Sequence, residues 1–188
     1  MCNDKKCMVP TPAPPTPPPP TPAPPPPTPP PTPPNPYRNQ QWLGPSPQTK
    51  GTILFKADLT KCVELQGGNS YNGTPIVINT CNNAKQQQWA YDPLQSGYIR
   101  WSGDKDKCID LTNGDITNGA KLQIWDCNGH TNQQWWGGGS YQFLSSLGGG
   151  KKCIDLYAGD TAVGKPLEIW DCIGLRDSGA NRTTTGHR

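Results

Sequence analysis

Three times along this chain, two strand-like runs begin and end on cysteines. Cys62-Val63-Glu64-Leu65 is followed by Thr74-Pro75-Ile76-Val77-Ile78-Asn79-Thr80-Cys81. Cys108-Ile109-Asp110-Leu111 is followed by Leu122-Gln123-Ile124-Trp125-Asp126-Cys127, and Cys153-Ile154-Asp155-Leu156 by Leu167-Glu168-Ile169-Trp170-Asp171-Cys172. The opening cysteines lie 46 and 45 residues apart, and each cysteine-to-cysteine interval is 19. Chance does not hold such spacing three times, so the chain carries an internal repeat of about 45 residues. A Gln-x-Trp follows the first two copies, as Gln87-Gln88-Trp89 and Gln133-Gln134-Trp135.

The rest of the composition limits what these repeats can build. Of 24 prolines, 19 fall between Pro10 and Pro36, so about 150 of the 188 residues remain to fold. Only 32% of the chain is hydrophobic, a lean supply for a core, and covalent links are the expected compensation. A net charge of +3 without any block of like charge argues against nucleic acid as a partner. No apolar run approaches the length needed to span or insert into a membrane.

Residues 1–9 contain Cys2 and Cys7 but no neighbouring His, and lack the apolar stretch of a signal peptide. Paired cysteines point instead to an oxidising compartment and a secreted protein, and they are the stronger signal. The sequence is then expected to be a fragment, or to start at a misplaced initiation codon. Residues 10–36 repeat Pro, Thr and Ala, which fixes polyproline II over ~80 Å and reads as a stiff linker.

From residue 37 to 188, short β-type runs alternate with Gly, Asn and Asp turns, and no segment keeps a helical period. Gly51 to Phe55, Tyr98 to Trp101 and Tyr141 to Leu144 are expected as lead-in strands. Gly67-Gly68, Asn113-Gly114, Asn118-Gly119 and Ala158-Gly159 are expected as turns. The fold class is all-β, with repeats at roughly 43–89, 90–135 and 136–188. Three copies favour a closed barrel of threefold pseudo-symmetry over a propeller, which needs at least four blades. No Gln-x-Trp follows Cys172, so the last repeat is incomplete. Asn39-Gln40-Gln41-Trp42, however, duplicates Asn132 to Trp135, and a circular closure would place it there.

Over residues 43–172 the chain resembles the ricin-type β-trefoil lectins, also classed as a carbohydrate-binding module family. The resemblance rests on Cys-x-Asp-Leu, Gln-Ile-Trp-Asp-Cys and Asn-Gln-x-Trp at registered positions. It implies a β-trefoil with a sugar pocket in each subdomain and no catalytic activity. It also implies the disulfides Cys62–Cys81, Cys108–Cys127 and Cys153–Cys172.

Strand alternation locates the pockets. With Ile109, Leu111, Leu122 and Ile124 facing the core, Cys108, Asp110, Gln123, Trp125 and Cys127 face out. An indole can stack on the apolar face of a pyranose, while Asp110 accepts two hydroxyls and Gln123 or Asn132 donates. The family pattern implies that Gln133 orients Asp110 from behind. The third repeat keeps Asp155 and Trp170 outward but has Glu168 in place of the glutamine, a second candidate site. The first has Glu64, Val77 and Asn79 outward and lacks an aromatic platform, so it is expected to serve as architecture only.

Asp110 and Asp126 fail as a glycosidase pair, because opposite strand parity separates them. Only His130 and His187 are present, which gives no nucleophile–His arrangement or metal site. Asp104-Lys105-Asp106 lacks the glycine and later oxygen ligand of a calcium loop. No cofactor, metal or catalytic residue is therefore expected. The sequence points to non-catalytic binding of glycans, galactose-like or from plant or cell-wall polysaccharide. The alternatives are the targeting module of a larger secreted glycoside hydrolase, joined to a catalytic domain in a longer chain, or a structural, protein-binding trefoil with decayed sites.

Overall fold

The computed structural model describes residues 39–45, 49–91, 97–138 and 142–173. The proline tract, Cys2, Cys7 and residues 174–188 lie outside them.

Thirteen short strands make up the described fold. They are β1 (Trp42–Leu43), β2 (Lys50–Gly51), β3 (Leu54–Phe55), β4 (Lys61–Leu65), β5 (Ile76–Thr80), β6 (Trp89–Tyr91) and β7 (Ile99–Trp101). They continue as β8 (Lys107–Leu111), β9 (Leu122–Asp126), β10 (Trp135–Gly138), β11 (Gln142–Ser145), β12 (Lys152–Asp155) and β13 (Glu168–Asp171). Three antiparallel sheets result, ordered β1-β3-β4-β5, β2-β6-β7-β8-β9 and β10-β11-β12-β13. The expected strand Gly51 to Phe55 is in fact two, because β2 pairs with β6 while β3 pairs with β1.

The cysteine-bounded runs form the hairpins β4–β5, β8–β9 and β12–β13. Their registers oppose Val63 to Ile78, Ile109 to Ile124 and Ile154 to Ile169. Each pair puts β-branched side chains on the inner face, where they join one apolar core. The chain leaves β4, β8 and β12 through 3-10 turns at Gln66–Gly68, Thr112–Gly114 and Tyr157–Gly159. Each turn holds two successive left-handed residues, and Asn113 (φ 55°) and Ala158 (φ 51°) adopt that conformation without being glycine.

The hairpins interlock into a ring. Gly73 N–H donates to Ile124 O, Gly119 N–H to Ile169 O and Gly164 N–H to Ile78 O, each at 2.9 Å. Thus the loop of each repeat pairs with the returning strand of the next, and the third closes on the first. The disulfides Cys62–Cys81, Cys108–Cys127 and Cys153–Cys172 are present, with Cα–Cα separations of 5.1, 5.2 and 5.0 Å.

The Gln-x-Trp tryptophans seal the core. The indoles of Trp89 and Trp135 are buried and donate to Val63 O and Ile109 O at 3.0 and 3.1 Å. Trp42 donates to Ile154 O at 3.1 Å, which is the same contact made on the third repeat. Gln40 repeats the geometry of Gln87 and Gln133 as well, donating to Asp171 O at 2.9 Å. Residues 39–42 therefore supply the piece missing after Cys172, from the other end of the sequence. The described residues form an all-β trefoil.

One expectation from strand parity needs correction. Cys62, Cys108 and Cys153 are buried, as are Glu64, Val77, Asp110, Asp155 and Glu168. The outer face of each hairpin is not open to water along its length. A Gln-bearing segment folds over the carboxylate, and Val77 is bridged by Pro166 from the third repeat.

Candidate functional site

In the second repeat the register places Asp110 opposite Gln123 and Cys108 opposite Trp125, adjacent pairs on one face of the hairpin. The 3-10 turn Thr131–Gln133 brings two more amides over that face. Asp110 Oδ1 accepts from Gln123 Nε2 at 2.9 Å, and Oδ2 accepts from Asn132 Nδ2 at 2.8 Å and Gln133 Nε2 at 2.9 Å. Burial pushes the Asp110 carboxyl above the usual carboxylate range, against the pull of these three donors. Asp110 is only 2% exposed, whereas Trp125 is 37% exposed.

This corrects the expectation of a wet Asp110 free to accept two hydroxyls. A carboxylate has about four acceptor positions, and three are occupied. The amides at 123 and 132, expected to face a ligand, are spent at least partly on fixing the acid. Asp126 points the other way, pairing with Lys107 at 2.6 Å and accepting from Asn72 at 2.7 Å. These contacts hold its carboxyl below the ordinary value, and no Asp110–Asp126 acid–base pair is assembled.

In the third repeat Asp155 stands opposite Glu168, and Trp170 is again 37% exposed. Asn39, Asp155, Tyr157, Ala158, Glu168, Trp170 and Ile173 line an open pocket of about 240 Å³. Burial, reinforced by the charge of Glu168, raises the Asp155 carboxyl to about 6, while a hydrogen bond from Gln40 opposes the rise. Glu168 Oε2 is paired with Lys121 Nζ, and its buried Oε1 has no hydrogen-bond partner.

Asn39, Gln40, Lys121 and Tyr157 were not among the residues expected here. The duplicated Asn39-Gln40-Gln41-Trp42 motif was the available signal for the first two. Lys121 has no counterpart in the repeat pattern, since Pro75 and Pro166 occupy its position in the other copies.

The first repeat uses a similar clamp without a shelf. Glu64 accepts from Asn79 Nδ2 at 2.9 Å and Gln87 Nε2 at 2.7 Å. Asn79 stands where the other copies have tryptophan, so an exposed aromatic is missing from that position. Among the described residues no cluster of His, Cys, Asp and Glu could hold a metal ion, and no helix is long and apolar enough to cross a membrane.

The family model of the ricin-type β-trefoil lectin domain matches residues 50–182. The chain belongs to that family. Among solved structures, the lectin-fold neighbours include the C-half of an earthworm R-type lectin in complex with GalNAc. It is 18% identical, with 66% of this chain and 90% of that chain covered and a TM-score of 0.55. The Macrolepiota procera ricin B-like lectin in complex with lactose is 17% identical, covering 69% and 90%, with a TM-score of 0.54. An exo-β-1,3-galactanase from Clostridium thermocellum is 24% identical over 69% of this chain, but the match occupies 28% of that protein (TM-score 0.58). No curated protein matches the chain. At these identities the structural neighbours establish the β-trefoil fold, and the family match identifies this as a ricin-type lectin domain.

Proposed function

We propose that this ricin-type lectin domain binds carbohydrate without transforming it, on the outer faces of its second and third hairpins. The observation that carries the reading is the half-open indole of Trp125 on the hairpin face that holds the amide-clamped carboxylate of Asp110. A pyranose stacks its C–H face on the ring, and the remaining acceptor position of Asp110 takes one hydroxyl. Gln123, Asn132 and Gln133 hold that carboxylate in place, so the site is set before the ligand arrives. Trp170, Asp155 and Glu168 form the second site. The ligand is a hexose or pentose unit of a glycan, galactose-like or from plant or cell-wall polysaccharide. The GalNAc and lactose of the two lectin neighbours favour the galactose-like class.

Three disulfides suit an oxidising, extracellular setting. The position of the galactanase match, a minor part of a longer enzyme, favours the further reading of a targeting module attached to a hydrolase. Glycan-array binding by the whole chain tests the proposal, with Trp125→Ala, Trp170→Ala and the double variant alongside. Each single variant is expected to lose about tenfold in apparent affinity, the contribution of an aromatic stacking platform. The double variant is expected to be silent. Unchanged binding by a folded double variant would show that these faces are not the sites, and the trefoil would then be structural or protein-binding.

A further inference from the structure

The second and third hairpins share a register but differ in charge at one position. Gln123 donates to Asp110, so the acid of the second repeat is satisfied by a neutral neighbour. Glu168 takes the same place beside Asp155 and cannot donate when ionised. It is 1% exposed, lines the pocket, and leaves Oε1 without a partner. Lys121 neutralises one of the two carboxylates. Tyr157, Asn39 and Gln40 bring no further cation, and the pocket lining has no histidine. With both acids ionised, the site is one positive charge short of neutrality and one donor short of satisfying its oxygens. A buried acceptor left unpaired is costly, and a ligand that brings both the donor and the charge removes that cost.

We propose that the third-repeat pocket takes a saccharide carrying a protonated amine, an amino sugar without its acetyl group. The ammonium sits beside the Asp155 carboxylate, with the Glu168 side chain turning Oε1 to meet it, and the ring stacks on Trp170. This rests on the carbohydrate-binding reading above and specifies the substrate class of one of its sites. The rival account is that Asp155 keeps a proton and donates it to Glu168, leaving nothing for an ammonium to fill.

Titration calorimetry with glucosamine dimers and trimers decides between them. N-acetylated oligomers and the corresponding glucose oligomers serve as neutral controls. The protein is the full chain carrying Trp125→Ala, which weakens the second-repeat site. The amine form is expected to bind at least about tenfold more tightly than either control. Glu168→Gln, which installs the second repeat's residue, is expected to abolish that preference, so that amine and neutral oligomers bind alike. In the mildly acidic range, where Asp155 is partly protonated, amine binding is expected to release a proton. That release is read from the dependence of the heat on buffer ionisation, and needs no variant at position 168. Equal binding of amine and neutral oligomers, or no proton release, overturns the inference alone. No binding of any sugar by the unaltered chain overturns the carbohydrate reading beneath it.

Discussion

Ala158 holds a conformation that L-residues avoid. Its φ of 51° puts it in the left-handed region, where Gly67 stands in the first repeat and Asn113 in the second. The left-handed geometry costs an alanine about 1–2 kcal/mol, more than the backbone entropy a glycine loses on folding, about 0.5–1 kcal/mol. Ala158→Gly is expected to raise stability by up to about 1 kcal/mol, read as a higher midpoint in urea at unchanged slope. Asp155 gives a signed pH effect. Its carboxyl is raised from 3.8 to about 6 by burial, so between those values the fold holds a proton that the unfolded chain has released. The stability it contributes is complete below its unfolded value and lost as pH rises through about 6. Asp126 and Asp171 run the other way: pairing with Lys107 and Lys152 lowers them, and their contribution is lost on acidification. Asp155→Asn is therefore expected to melt higher than the unaltered chain at about pH 7.5 and to lose that advantage near pH 4. An advantage independent of pH would place the benefit elsewhere than in this ionisation. The sequence showed which of these residues were polar and outward by parity, but not their burial. Parity describes one strand, whereas burial of Asp110 depends on amides arriving from a turn some twenty residues later.

At the scale of elements, the decisive unit is a hairpin with a Gln-x-Trp segment laid across it. The glutamine accepts one backbone N–H and donates to one backbone carbonyl, and the indole donates to a strand carbonyl beneath it. In the third repeat this unit is assembled from β12, β13 and residues 39–42, more than a hundred positions apart in the sequence. Trp42→Ala is expected to cost about 3–5 kcal/mol in chemical denaturation, as much as Trp89→Ala or Trp135→Ala. A much smaller loss would mean that the closing segment is only loosely docked. Gly159 shows how tightly it sits, since a Cβ there would lie 2.6 Å from Asn39 Oδ1. Gly159→Ala is accordingly expected to weaken third-repeat binding more than second-repeat binding, in calorimetry on the Trp125→Ala and Trp170→Ala backgrounds.

The described residues form a ring of three such units over one core, stapled at each hairpin. Each disulfide closes a loop of about twenty residues, worth ~3 kcal/mol in the chain-entropy model. Full reduction is expected to lower the melting temperature by well over 10 °C, and thiol-specific labelling during the melt checks that all three have opened. The repeat spacing announced a closed barrel of threefold pseudo-symmetry, because three copies of a half-apolar hairpin can bury their inner faces only against one another, and the resemblance to the ricin-type lectins implied that this barrel is a trefoil. It also announced the pairing partners of the cysteines through the family pattern, and the lack of an aromatic at position 79. Chain order could not announce which end completes the third unit, since a closed ring has no first or last member in space. Nor could it reveal Lys121 against Glu168, or the acceptor left open beside it. Those depend on Lys121, in a loop of the second repeat, reaching the returning strand of the third from a position where the other two copies carry proline.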